Sequence, residues 1–209
     1  MQRINGGVWK PLSNTQDVNP ESGADVYSTI DIRIQDIAQT ALLRSLEKYE
    51  AESGSVILMD VETGAIRAMS SLQRTAKEKY AENFNYAFGA AYEPGSTFKL
   101  ASLLVALEQG KVNITDSVDM TGKYEFYDNF LTDGGKVYGK NTIKSAFEKS
   151  SNVISQIIFD NYKDAPQEFI DGLKQIGIHQ KLGLDILGEG LPLIKEASDP
   201  TFTGITLPW

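Results

Sequence analysis

Ser96 and Lys99 stand three residues apart in the string Glu93-Pro94-Gly95-Ser96-Thr97-Phe98-Lys99, and an apolar run from 100 to 107 follows them. On a helix, positions i and i+3 share a face with β-carbons about 5–6 Å apart, so the Lys99 amine can reach the Ser96 hydroxyl. An ammonium cannot accept a proton, so the pair works as base and nucleophile only while Lys99 is neutral. Burial among apolar side chains disfavours the charge and lowers a lysine pKa. The chemistry on offer is an activated serine nucleophile that needs no histidine. Ser96 also has a plainer use as a helix N-cap, since Pro94-Gly95 marks a helix start where backbone N–H groups lack partners. A second Ser-x-x-Lys, Ser45 to Lys48, has no Pro-Gly entry and no apolar run behind it. It reads as the solvated face of an ordinary helix.

Ser150-x-Asn152 is the second constellation, in Lys149-Ser150-Ser151-Asn152-Val153. It lies between two helical patterns: Ile143, Ala146 and Phe147 with Thr142 as N-cap, then Val153, Ile157 and Ile158. A hydroxyl and a carboxamide on such a turn can pass a proton and hold an amide substrate. Ser and Asn are equally common as turn and cap residues, which is the bland alternative.

The elements that must position these groups follow from periodicity. Asp31, Ile34, Ile37, Ala38, Ala41, Leu42, Leu46 and Tyr49 predict an amphipathic helix ending near Glu52. Residues 55–61 and 65–71 flank Glu62-Thr63-Gly64, a hairpin signal with Gly at the position needing positive φ. Residues 72–92 read as irregular, and the helix after Lys99 ends at Gly110, a good C′ residue. Residues 111–141, with Tyr124, Phe126, Tyr127, Phe130 and Tyr138, read as a long loop pinned to the body by its aromatics, which could otherwise stack on a sugar or peptide. Helices around Ser150 and over 167–177 precede Gly- and Pro-broken coil. Residues 1–27 read as a linker, with Val8-Trp9 docking on a neighbour. The expected class is α+β, helices packed on an antiparallel sheet of which one hairpin is present.

Composition narrows the chemistry further. With 209 residues and 41% hydrophobic content, the chain can bury a core of about one domain. Cys is absent, which excludes thiol catalysis, disulfides and Cys-ligated metal sites. The net charge of −8 argues against a nucleic-acid or anionic-membrane surface. No stretch approaches the ~20 apolar residues of a membrane span. The single histidine, His179, follows Gly177-Ile178 and reads as a surface residue; no Gly-x-Ser-x-Gly elbow exists for it to serve. One histidine with scattered acids gives no metal-ligand set, and no cofactor is expected.

Ser96-x-x-Lys99 followed by Ser150-x-Asn152 resembles the motif set of the penicillin-binding transpeptidases. Residues 27–35, 54–60 and 93–99 are similar in phrasing. Ala146-Phe147-Glu148-Lys149-Ser150-Ser151-Asn152-Val153 follows the monofunctional (class B) members, the cell-wall synthases of division and elongation, with the division-type branch the expected one. The resemblance runs from about Asp25 to Trp209 and implies a β-lactamase/transpeptidase-like fold. It further implies that Ser96 attacks the carbonyl of a D-alanyl-D-alanine stem peptide and that Lys99 is the base. Ser150 would relay a proton to the leaving D-alanine, while Asn152 would hold the substrate amide and help place Lys99. The backbone N–H of Ser96 would be one oxyanion donor. The implied partners are peptidoglycan stem peptides, β-lactam antibiotics and other cell-wall or division proteins. The implied location is the outer side of the cell membrane, with an anchor upstream of Met1.

The family's third motif, Lys-Thr-Gly or Lys-Ser-Gly, is absent; Lys181-Leu182-Gly183 is the nearest string and lacks the hydroxyl. The expectation is therefore a chain cut short before that motif: 1–27 a linker from an upstream non-catalytic domain, and 28–209 the N-terminal portion of the transpeptidase domain. Such a piece would be crippled or inactive alone, and the 55–71 hairpin, lacking partner strands, would offer an open edge for self-association. A serine β-lactamase or β-lactam sensor, or a non-catalytic division scaffold, remain the alternatives. The N-terminal arm and the 27–35 phrase argue against the first two, and the intact Ser96, Lys99, Ser150 and Asn152 against the third.

Overall fold

The computed structural model describes residues 22–202 apart from 78, 185 and 187, and near the start residues 2, 3, 7, 9 and 10. Two short strands, β1 (Gln2–Arg3) and β2 (Trp9–Lys10), pair antiparallel there. Docking of the Val8-Trp9 side chains lies outside the described residues.

The first layer is a helix on a sheet. Helix α1 (Ile32–Tyr49) starts where Asp31 caps it, the carboxylate accepting from the N–H of Arg33 and Ile34 at 2.9 and 3.4 Å. It ends in left-handed Glu50, within two residues of the expected boundary. Strands β3 (Ser53–Met59) and β4 (Ile66–Ala76) form the expected hairpin, with Ser55 opposite Ser71. Asp60 closes its turn by accepting from Glu62 and Thr63 N–H, and Gly64 adopts φ 71°. Gln35 ties the helix to the sheet: its amide donates to Met69 O at 2.8 Å and accepts from Met69 N at 2.9 Å. Gly54 lets β3 come close beneath Leu42 and Leu46.

Two expectations are corrected. Residues 72–92 are not irregular: β4 runs on to Ala76, β5 (Lys79–Ala81) pairs with it, and a short helix α2 (Tyr86–Gly89) follows. The sheet order is β3-β4-β5, one strand more than the single hairpin. Nor is 111–141 a loop. It folds into two small antiparallel sheets, β6 (Ser117–Met120) with β9 (Gly139–Thr142) and β7 (Lys123–Phe126) with β8 (Asn129–Thr132). The physical reason is alternation: Lys123 and Glu125 face solvent while Tyr124 and Phe126 are buried. The aromatics split accordingly, Tyr124 and Phe126 joining the core and Tyr127 and Phe130 staying exposed.

The second layer is helical. A 3-10 turn (Gly95–Phe98) runs directly into α3 (Lys99–Glu108), which Gly110 ends at φ 65°. Helix α4 (Ile143–Glu148) is capped by Thr142, whose hydroxyl accepts from Ser145 N–H, as expected. Helices α5 (Val153–Tyr162) and α6 (Pro166–Gln175) complete it. Leu103, Met120, Tyr124, Phe126, Ile143, Ile154 and Phe159 form one core, joining α3, α4 and α5 to the small sheets. Val105, Ala106, Ile158, Tyr162, Phe169 and Leu173 form the other, clamping α3 between α5 and α6. Gly172 permits that clamp, because a β-carbon there would run into Val105. Both cores grip α3, the element that carries Lys99.

Candidate active site

Ser96 sits in the middle of the 3-10 turn with its side chain open to solvent. Its hydroxyl makes no hydrogen bond among the described residues, and α3 begins without a side-chain cap. Thr97, not Ser96, bonds the turn, donating to Pro94 O at 2.7 Å. The capping use of Ser96 thus finds no support, and its hydroxyl is left free.

Lys99, the first residue of α3, is 7% exposed. Its ammonium donates to Asn152 Oδ1 at 2.7 Å and to the Ser150 carbonyl at 2.8 Å, and not to Ser96. Burial pushes its pKa below lysine's usual range; the nearby Asp133 carboxylate pulls it back up, but less strongly. The apolar run behind Lys99 is buried on one face only: Leu103, Val105 and Ala106 are buried while Leu100 and Leu104 are exposed.

Ser150 and Asn152 are placed by a helix end. Ser150 N–H donates to Phe147 O and Ser151 N–H to Ala146 O, both at 2.9 Å, the Schellman pattern that closes a helix C-terminus. The residue in its left-handed position is Ser150, at φ 53°, where glycine is the usual choice. The left-handed region costs an L-residue roughly 1–2 kcal/mol. The reversal leaves the Ser150 carbonyl on Lys99 and the Ser150 side chain exposed. Asn152 begins α5, yet its side chain caps nothing: Oδ1 accepts from Lys99 and Nδ2 donates to Thr132 O at 2.9 Å. The turn-and-cap alternative accounts for the backbone here but not for the carboxamide.

Three residues of the site were missed by sequence reasoning. Asp133, after β8, accepts from Asn152 N–H at 2.7 Å, from Ser151 Oγ at 2.6 Å and from Tyr124 OH at 3.0 Å. Ser151 is buried, its Oγ also accepting from Val153 N–H. Burial raises the Tyr124 phenol above its ordinary pKa. The available signal was the strand alternation at 123–126, which turns Tyr124 inward; nothing in Asp133-Gly134-Gly135 distinguishes it from loop chemistry.

The other groups stay apart. His179 is exposed, as expected. Lys181 lies in the loop after α6, where Leu182 and Gly183 N–H donate to the Glu189 carboxylate. Among the described residues no three metal-ligating side chains cluster, and no helix is long and apolar enough to cross a membrane. An apolar groove of about 760 Å³ runs beside the Ser96 turn, between Tyr92, Pro94, Thr97, Leu100, Leu104 and Leu193.

A free serine hydroxyl and a desolvated lysine three residues on, with a Ser-x-Asn turn against that lysine on an α+β scaffold, are the arrangement that a serine nucleophile with a lysine base and no histidine would need. The family model of the penicillin binding protein transpeptidase domain matches residues 54–197, and the chain belongs to that family. It is 25% identical over 195 residues to the probable peptidoglycan D,D-transpeptidase PenA of Neisseria gonorrhoeae, covering 91% of this chain and 33% of that protein. It is 28% identical over 193 residues to the peptidoglycan D,D-transpeptidase FtsI of Escherichia coli K12, covering 88% and 31%. The fold superposes on the apo transpeptidase domain of Burkholderia pseudomallei penicillin-binding protein 3 with a TM-score of 0.73 and 23% identity, over 90% of this chain and 53% of that one. The chain spans about a third of the length of these two relatives.

Proposed function

We propose that the protein to which this chain belongs is a peptidoglycan D,D-transpeptidase working through an acyl-serine intermediate. The observation that carries the reading is the pairing of a hydroxyl with no structural task, Ser96 Oγ, with a buried lysine whose charge is disfavoured. The relatives' names support a transpeptidase over a β-lactamase, a sensor or a scaffold.

In the proposed cycle, neutral Lys99 takes the Ser96 proton as Oγ bonds to the carbonyl carbon of the penultimate D-alanine. The tetrahedral oxyanion is met by the Ser96 backbone N–H. Collapse breaks the amide C–N bond, and the Ser150 hydroxyl passes the proton from Lys99 to the departing D-alanine amine. Asn152 holds the substrate amide and keeps Lys99 in place. An amine from a second stem peptide then attacks the ester, releases Ser96 and closes the crosslink. A β-lactam opens its ring amide on Ser96 in the same way and stays attached. The domain is proposed to act on the outer side of the cell membrane, among other cell-wall and division proteins, with 1–27 a linker and 28–209 the first part of the catalytic domain.

The sequence contains no Lys-Thr-Gly or Lys-Ser-Gly. In this reading the chain by itself lacks the cation that fixes the substrate carboxylate and a second oxyanion donor, whose loss alone costs about 10²–10³ in rate. D-Alanine release from a D-Ala-D-Ala pentapeptide tests the proposal. Slow release by this chain and none by Ser96→Ala is expected, with a longer form carrying the third motif at least about a hundredfold faster. Equal release by Ser96→Ala would overturn it.

A further inference from the structure

Asn152 is held at three points. Its N–H donates to Asp133 Oδ1, its Nδ2 donates to the Thr132 carbonyl, and its Oδ1 receives the Lys99 ammonium. A carboxamide is nearly symmetric in shape but not in chemistry. Flipped over, it would set its NH₂ against an ammonium and its oxygen against a carbonyl. The Thr132 carbonyl therefore decides which end of the amide the lysine meets, while Asp133 holds the backbone from which that amide extends.

Asp133 makes no ion pair among the described residues. Its charge is met by three hydrogen-bond donors: the Asn152 N–H, the Ser151 hydroxyl and the Tyr124 phenol. Ser151 and Tyr124 lie 3.0 Å apart, and Tyr124 also accepts from Gly122 N–H. The Asp133 charge also lies close enough to Lys99 to oppose the effect of burial on that amine.

We propose that Asp133 is a positioning residue of the acylation machinery: by accepting from the Asn152 N–H and the Ser151 hydroxyl it fixes the turn that carries Asn152, and so keeps the carboxamide on Lys99. The proposal rests on the reading of Lys99 as the acylation base. The groups around Lys99 are few. Asp133 is the titratable residue whose charge acts on it, and Tyr124 reaches it through Asp133. Lys149, at the end of α4, is turned to Ser145 Oγ and the Tyr138 ring. Glu93, ahead of the 3-10 turn, is exposed.

The sign of the effect follows. Asp133 holds the Lys99 pKa up, so removing its charge lowers that pKa and enlarges the neutral fraction at a given pH. Loosening Asn152 acts the other way on rate, by releasing the amine from its place. Asp133→Asn should therefore separate the two effects. Two readouts are needed, both on the full chain labelled with 13Cε-lysine, the Lys99 signal being assigned by its loss in Lys99→Arg. The first is the pH at which Lys99 titrates. The second is the pH profile of acylation by benzylpenicillin.

In Asp133→Asn, Lys99 is expected to titrate at lower pH, with the acidic limb of the acylation profile moving the same way. The maximal acylation rate should fall at least about tenfold, and Asp133→Glu should restore part of it. Unchanged Lys99 titration in an Asp133→Asn chain that keeps its native amide spectrum would overturn the inference, and so would an unchanged maximal rate. If Asp133→Asn fails to fold, Tyr124→Phe, which removes one donor from the carboxylate, should lower the maximal rate and raise the Lys99 titration by leaving Asp133 less neutralised; no change in either contradicts the proposal. Absence of acylation in every variant, with the Lys99 shift present, would count against the transpeptidase reading and leave the link from Asp133 to Lys99 standing.

Discussion

Ser150 shows in one residue how the site trades stability for geometry. A Schellman end asks for glycine in its left-handed position, and this chain places a serine there at φ 53°. Ser150→Gly is expected to raise stability by up to about 1 kcal/mol, read by urea unfolding. The same variant should lower β-lactam acylation, because it removes the hydroxyl proposed to relay the proton; a variant both less stable and equally reactive would contradict this account of Ser150. The Ser96-x-x-Lys99 and Ser150-x-Asn152 strings could be picked out of the sequence as candidates from their residue types and local spacing. Two things were not legible. Lys99 bonds to Asn152 and the Ser150 carbonyl, not to Ser96, since two acceptors at 2.7 and 2.8 Å outcompete a solvated hydroxyl. Asp133 escaped notice because its partners lie 9 to 19 residues away, beyond any local pattern.

At the scale of elements, α1, the β3–β4 hairpin, α3 and α4 were readable from caps, periodicity and Gly64, each a local signal. The strands between 117 and 142 were not, because strands of four residues carry at most two inward positions apiece and sit among Gly and Asp. Those strands carry Tyr124 and Thr132 and lead into Asp133, so the missed elements and the missed site residues are the same failure. Strand β3 bonds to β4 alone among the described residues. It carries no charged residue from 53 to 59, and Ile57, Leu58 and Met59 are about half exposed. An edge of this kind lacks the devices that discourage edge-to-edge pairing. The isolated chain is expected to self-associate as concentration rises, and Ile57→Lys should shift it toward monomer. Light scattering coupled to gel filtration checks both; a concentration-independent monomer would contradict the expectation.

Over the whole molecule, two cores meet on α3, and the Ser-x-Asn turn joins α4 and α5, which the same cores fix in place. Lys99 is thus brought to Asn152 by packing that needs nothing beyond the described residues. This packing is expected to suffice to make Ser96 a reactive nucleophile. Intact-protein mass after incubation with benzylpenicillin tests it most directly. The account predicts a single covalent adduct of the whole drug, located on the peptide that carries Ser96, absent in Ser96→Ala and strongly reduced in Lys99→Ala. No adduct on the folded chain, or one that persists in Ser96→Ala, would contradict it.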